Sequence, residues 1–393
     1  MTTSTPPRVE CLDGLRGLAA LWVLTGHCVL LSGWSLPVID KPDLGVDLFM
    51  MLSGFLMVFD YYLRAEKEPW TEPETWMKFW ARRFFRIAPL YYVMLALAMI
   101  LGTVLLAGRA QSAALLHLAP QTSESYTDAG PANILTHLTF VFGLLPAYAM
   151  RTPLPDWSLG LEMQFYAAFP ALMLMTRKLG WTGAVVLIAL VAALVTHATW
   201  HYEIRYPLPS FLPFKIDIFL AGMLLAESCR RGPRTAGFYL VLALILAAGP
   251  FQGEASLVRL AVREILVLAF FALILHRFLP VPFGNCAGKV AAILGSNPFR
   301  WLGEISYSVY LLHVLILAPV IAFVVRYYGH DISAPTRFAI VSLAVMALTY
   351  PLAWLTYRFI EIPGQAAGRL FLRRISGKAI DARTDRPESL AAP

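Results

Sequence analysis

Charge is scarce in this chain: Asp, Glu, Lys and Arg make up 15% of its 393 residues, where a soluble domain carries about 25%. That deficit, with 58% hydrophobic residues and a mean hydropathy of +0.62, excludes an ordinary soluble globule and implies a polytopic membrane protein. The four cysteines, Cys11, Cys28, Cys229 and Cys286, form no C-x-x-C pair, so neither a metal site nor a disulfide framework is expected. The leader MTTSTPPRVE has no charged n-region and no A-x-A cleavage pattern. The first apolar segment therefore reads as a retained signal anchor. No internal repeat or low-complexity block is visible. The net charge of +7 gathers at the ends of apolar runs, as topology demands, so no nucleic-acid partner is expected.

Long apolar runs are what the chain has in plenty. A crossing needs about 20 largely apolar residues, and eleven segments are candidates: 12–33, 44–63, 88–108, 132–150, 156–175, 181–200, 211–229, 236–250, 260–279, 302–324 and 337–358. The weakest is 132–150, with Asn133, His137, Gly143 and Pro146. The loop 64–87 holds Arg64, Lys67, Lys78, Arg82, Arg83 and Arg86, so the positive-inside rule makes it cytoplasmic. The other basic clusters, Arg177–Lys178 and Arg230, Arg231 and Arg234, join it on one side only if 132–150 does not cross. The fold class expected is thus all-α: a polytopic membrane helix bundle of about ten transmembrane helices plus one re-entrant or interfacial helix, both termini cytoplasmic. Non-helical backbone at membrane depth must be surrounded by protein or water, so 132–150 is expected to line a cavity. Residues 1–363 form one membrane domain in this reading. Residues 364–393 are a basic cytoplasmic tail, first a membrane-surface helix and then disordered.

Against that apolar background the ionisable residues stand out, since each is costly in lipid. In LDGLRGLAALWVLTGHC, Arg16 and His27 are three helical turns apart, within about 20° of one face and about 16 Å along the axis. Arg16 fits a boundary anchor paired with Asp13; His27 fits either a buried hydrogen-bonded histidine or a general base facing a cavity. Asp47, near the outer end of the second segment, fits an acid orienting His27 or a loop-edge acid. Ser53 and Gly54 read as small packing residues. Arg82, Arg83 and Arg86 lie among aromatics in ETWMKFWARRFFRIAPLYY, a pattern that serves topology or binds a polyanion, since guanidinium forks match phosphate oxygens. In LPDWSLGLEMQFYAAFP, Asp156 or Ser158 is a plausible cap, Trp157 suits the interface, and Glu162 sits one turn inside, where it requires a partner. In LGEISYSVYLLHVLIL, Ser306, Tyr310 and His313 share a face and read as cavity lining or as interhelical hydrogen bonding. His117, His197, His201, His276 and His330 fall near loops and say less. Cys28 points about 100° away from His27 on a helix, which argues against a Cys–His nucleophile.

Taken in order, LDGLRGLAALWVLTGH, GVDLFMMLSGFL, the Arg83-Phe84-Phe85-Arg86 run, WSLGLEMQFY, LGEISYSVYLLH and YRFIEIP resemble the acyltransferase-3 family of integral membrane acyltransferases. That family includes O-antigen and exopolysaccharide O-acetylases and macrolide acyltransferases. The resemblance runs from Leu12 to about Pro363. It implies a membrane-bound O-acyltransferase of the inner membrane of a bacterium that takes an acyl group, acetyl by family frequency, from cytoplasmic acyl-CoA. The acceptor would be a hydroxyl, by preference of a carbohydrate, and no cofactor would be bound permanently. It makes His27 the catalytic base or acyl carrier, with Glu162 and His313 lining the route, and Arg83 and Arg86 donor-binding. Arg16 and Arg82 join the donor site in this reading, and Asp47, Trp157, Ser306 and Tyr310 are candidate acceptor-side residues. Lys215 stands where relatives often carry Arg, which puts any bidentate role there in doubt. Some relatives carry an SGNH-type domain; none is read here, so the membrane domain is expected to reach the acceptor itself or to hand on to another protein. The alternative function is a transporter or flippase with an intramembrane polar path. A homodimer is left open, because small-residue faces serve internal packing as well as association.

Overall fold

The computed structural model describes residues 10–119, 122–249, 256–276, 284–329 and 331–375. Nearly all of the leader, His330 and the end of the tail beyond Ile375 lie outside the described residues. Within them the apolar runs become fourteen α-helices: α1 (Cys11–Leu31), α2 (Pro42–Arg64), α3 (Pro73–Leu116), α4 (Glu124–Thr127), α5 (Pro131–Leu138), α6 (Trp157–His201), α7 (Ile216–Ser228), α8 (Pro233–Ala248), α9 (Leu257–Leu275), α10 (Gly284–Leu294), α11 (Asn297–Glu304), α12 (Ser306–Tyr328), α13 (Ala334–Thr356) and α14 (Ile362–Ile375). Several start on proline in the first turn, where the missing N–H is no loss. Ser256 and Ser333 cap α9 and α13 by accepting the backbone N–H three residues on.

Six stretches are long and apolar enough to cross a membrane: α1, α2, α3, α6, α12 and the continuous helical run from Ala334. Within the described residues each of the ten apolar segments expected to cross falls largely on helix, but their partition differs from even spans. Residues 156–175 and 181–200 share α6, bent at Gly180, where φ is 70° and ψ 167°. Residues 211–229 form a short 3-10 turn and then α7, whose 13 residues are all buried. At 1.5 Å per residue α7 spans about 20 Å, less than the hydrocarbon core of about 30 Å, and it sits enclosed by other helices. Its closeness to α2 depends on two glycines. A Cβ on Gly54 would overlap the Phe219 carbonyl oxygen, and one on Gly222 the Met51 carbonyl oxygen. The small step at Ser53–Gly54 is therefore a backbone contact.

The segment 132–150 is not one helix. α5 ends at Leu138, Phe140 takes the left-handed conformation at φ 59°, and a 3-10 turn follows over Val141–Leu144. From α4 to the end of α5 the chain descends along α3: Tyr126 of α4 abuts Gly102, whereas Tyr92 donates to the Leu138 carbonyl at 2.6 Å. Those anchor points are ten residues of α3 apart, about 15 Å. His137, fully buried, stacks on Phe142 with centroids 4.3 Å apart.

Beyond α13 the helix widens into a π-turn over Tyr357–Glu361 and continues as α14, which runs through residue 363 and lies on the basic end of α3. Gly364 meets Pro89 and Gly368 meets Phe85. α14 thus lies against the basic end of α3 beside Phe85 and Pro89, next to the run that holds Arg82, Arg83 and Arg86. The opposite end carries the Gly33 turn.

Candidate active site

Between α1, α2, α3, α6 and α12 a cleft of ≈ 670 Å³ opens, lined among others by Arg16, Ser53, Arg86, Glu162, Tyr166 and Tyr310. Its polar groups come from five helices. Glu162 is held one turn into α6, and the hydroxyl of Ser53 on α2 donates to its Oε1 at 2.9 Å. Tyr166, one turn further along α6, donates a very short hydrogen bond to the same oxygen. Oε2 of Glu162 has no partner among the described residues. Arg16 lies within electrostatic reach of Arg86, Tyr166, Glu162 and Asp13, and Arg86 lines the same cleft. Neither Arg16 nor Arg86 makes an ion pair with a carboxylate among the described residues. Glu361, buried in the π-turn, faces Arg86 from α14's side and accepts from Ser308 Oγ at 2.5 Å.

Ser306 and Tyr310 line the cleft as their shared face suggested, but each is fixed by a backbone carbonyl. Ser306 Oγ donates to Gly303 O at 2.7 Å, and Tyr310 OH to Pro155 O at 2.6 Å. The Tyr310 proton is thereby spent, so Ser158 Oγ, 2.6 Å away, must be the donor to its oxygen.

Above this cleft stand two histidines from helices distant in sequence. His313 Nε2 is 3.2 Å from His27 Nδ1, and the ring centroids are 5.1 Å apart. His27 Nδ1 also lies 2.9 Å from Val23 O, and His313 Nδ1 lies 3.2 Å from Val309 O. A carbonyl accepts only, so both Nδ1 atoms carry protons in the neutral pair. His27 Nδ1–H then points at the Val23 carbonyl with His313 Nε2 as a second acceptor. The lone pair of His27 is left on Nε2, which has no partner among the described residues. A neutral imidazole so oriented is ready to accept a proton. The Tyr310 ring, 6.0 Å from His313 and 6.0 Å from Phe49, separates the cleft from this pair.

The structure sorts the remaining candidates. Arg82 gives both arms of its fork to Glu68 at 2.9 and 2.7 Å, and Arg83 gives Nη2 to Asp60 at 2.7 Å while facing the Phe79 and Tyr166 rings. Of the four arginines expected at the donor site, Arg16 and Arg86 line the cleft, and Arg82 and Arg83 do not. Asp47 does not face His27. It is buried in an ion network, accepting from Lys215 Nζ at 2.7 Å, with Arg263 Nε at 3.2 Å, and Arg263 in turn holds Asp217 at 2.7 Å. The charges balance, which is how such a cluster survives burial. Lys215 needs no fork here, since it makes a point contact. Trp157 packs half-buried against the core outside the cleft. Asp156 caps no backbone N–H; its Oδ2 accepts from Tyr91 OH at 3.0 Å and Thr152 Oγ1 at 2.8 Å. Tyr166, Tyr307 and Glu361 were not anticipated. The i, i+4 spacing of Glu162 and Tyr166 was a readable signal.

A sequence profile of the acyltransferase domain matches residues 9–358. This chain belongs to the acyltransferase-3 family. It is 25% identical over 389 residues to the peptidoglycan O-acetyltransferase OatA of Listeria monocytogenes, covering 90% of this chain and 55% of that protein. It is 29% identical over 311 residues to a putative membrane-bound transacylase, BcsY, of Komagataeibacter xylinus, covering 77% and 71%. A regulator of hypoxia-inducible factor 1 from Caenorhabditis elegans is 24% identical, covering 92% and 81%. The chain therefore spans about half the length of the Listeria protein and most of the other two. No solved structure matches it. Family and apolar helices together make this acyltransferase-3 protein a multi-pass membrane protein.

Proposed function

We propose that this acyltransferase-3 protein is a membrane-bound O-acyltransferase that moves an acyl group, acetyl first, from cytoplasmic acyl-CoA to a hydroxyl of a carbohydrate at the outer face of a bacterial inner membrane. The observation that carries the reading is the cleft lined by the free forks of Arg16 and Arg86, with the His27–His313 pair standing beyond the Tyr310 ring inside an apolar bundle. The basic end is cytoplasmic by the positive-inside rule, where CoA is found. Arg86 and Arg16 take the anionic and polar parts of the donor, and the thioester extends past Tyr310 toward His27. Arg82 and Arg83 hold the entrance in shape through Glu68 and Asp60.

His27 Nε2 then takes the acceptor hydroxyl proton while the oxygen bonds to the thioester carbonyl carbon and the carbonyl π pair moves onto its oxygen. Collapse restores the carbonyl, breaks the C–S bond, and returns the proton from His27 to the departing thiolate, leaving an ester and free CoA. As His27 becomes an imidazolium, its Nδ1–H bond to His313 Nε2 strengthens. An acyl-His27 intermediate formed by Nε2 itself uses the same atoms in two steps.

The test is to add acetyl-CoA to purified protein together with a bacterial membrane carbohydrate fraction as hydroxyl acceptor and measure free CoA, for wild type, His27→Ala and Arg86→Ala. Release that disappears in His27→Ala and needs more donor in Arg86→Ala supports the reading. A transporter using the same polar path releases none from the wild type.

A further inference from the structure

A third arginine lies away from the donor cleft. Arg109, on α3, is 9% exposed and belongs to the helix's buried stripe, with Leu105 and Ser112 flanking it at i−4 and i+3. It makes no hydrogen bond or ion pair among the described residues, whereas the other buried cations, Lys215, Arg263 and Arg337, are each held by carboxylates or carbonyls. A buried guanidinium without an anion is expensive.

Its level in the bundle is set by contacts on either side. Leu116 of α3 packs beside Gly33 at the end of α1, its Cβ 4.0 Å from where a Cβ on Gly33 would stand. Counting back along two helices that run the same way, His27 is six residues below Gly33 and Arg109 seven below Leu116. Because α1 ends at Leu31 and Gly33 lies in the turn after it, that puts their Cα atoms within about one helical turn of each other in height. On the other flank, Gly108 packs on Ala318 and Ala322 of α12, five and nine residues beyond His313, so the Arg109 Cα stands about two turns further along the bundle than His313. A helical side chain leans toward its own N-terminus, which carries the Arg109 fork inward, within electrostatic reach of His27.

We infer that Arg109 is a catalytic residue that receives the oxyanion formed when the acyl carbonyl is attacked beside His27. The arrangement is otherwise self-defeating. When His27 accepts a proton it becomes a second cation beside Arg109, and the two repel unless a negative charge appears with it. In acyl transfer it does: the bond to the carbonyl carbon forms as the π pair moves to oxygen, and the oxyanion faces the waiting guanidinium. It is discharged when the C–S bond breaks. Arg109 is thus uncompensated in the resting state and paired in the transition state, which is what accelerates a reaction.

This inference rests on the acyl-CoA reading, and the experiment separates the two. Acetyl-CoA and a bacterial membrane carbohydrate fraction as hydroxyl acceptor are given to detergent-purified wild type, Arg109→Met, Arg109→Lys and His27→Ala, and donor binding, free CoA and melting temperature are measured. Expected for Arg109→Met is donor binding within about twofold of wild type, CoA release lower by about 10²–10³-fold, and a melting temperature equal to or above wild type, because an uncompensated charge has been removed. Arg109→Lys should recover part of the rate. A lowered melting temperature with activity lost only in proportion makes Arg109 structural and overturns the inference, as does unchanged release in folded Arg109→Met. Lost donor binding also overturns it, placing Arg109 in the donor site. No CoA release by the folded wild type overturns both readings together.

Discussion

His27 Nδ1 and His313 Nε2 meet at 3.2 Å across a separation of 286 residues. The contact fixes which nitrogen of His27 is free, because the Val23 carbonyl claims the Nδ1 proton. It also fixes the expected hierarchy. His27→Ala should lower transfer by about 10²–10⁴-fold, the usual worth of a positioned base, with donor binding intact. His313→Gln should cost less, since its amide keeps an acceptor for Nδ1–H. Parallel rates of CoA release and donor titrations check this; equal losses would mean that His313 also touches substrate.

Arg86 and Arg82 occupy one helix four residues apart, but only Arg86 faces the cleft. Arg86→Ala should raise the KM for acetyl-CoA by about tenfold or more, the value of one charge-assisted hydrogen bond. Arg82→Ala removes a partly buried pair with Glu68 outside the cleft and should leave KM within about twofold. Donor titration of the two variants side by side decides the assignment.

The network of Asp47, Lys215, Arg263 and Asp217 should govern stability. Asp47→Asn leaves two buried cations with a single carboxylate between them, a change worth about 3–5 kcal/mol. The melting temperature in detergent should fall accordingly, while activity per folded molecule stays near wild type. A folded variant with a selective loss of rate would return Asp47 to the active site.

Gly222→Ala places a methyl against the Met51 carbonyl oxygen. Backbone cannot yield as a side-chain tip can, so the α2–α7 contact should open at a cost of about 1–3 kcal/mol. The loss should appear both as a lower melting temperature and, because Ser53 on α2 carries the hydrogen bond to Glu162, as a reduced rate. Gly237→Ala, with nothing near its would-be Cβ, is the control.

The all-helical membrane character was legible in the sequence because it depends on composition and on runs of about 20 residues, both local properties. So were Arg16, His27, Glu162 and His313 as candidates, because an ionisable group in an apolar helix signals itself without its partner. Partners were not legible. Arg82, Arg83 and Arg86 look alike in sequence, and only Glu68, Asp60 and the course of α14 and α6 decide which fork stays free. Asp47 is 168 residues from Lys215, so its removal from the candidate site depended on a contact no local pattern encodes. The division of the apolar runs likewise turned on one backbone angle at Gly180 and on the enclosure of α7. Local chemistry determined that this chain folds as membrane helices and which side chains are costly enough to matter. Tertiary packing decided which of those charges are neutralised within the fold and which remain free for chemistry, because burial and pairing are properties of neighbours in space.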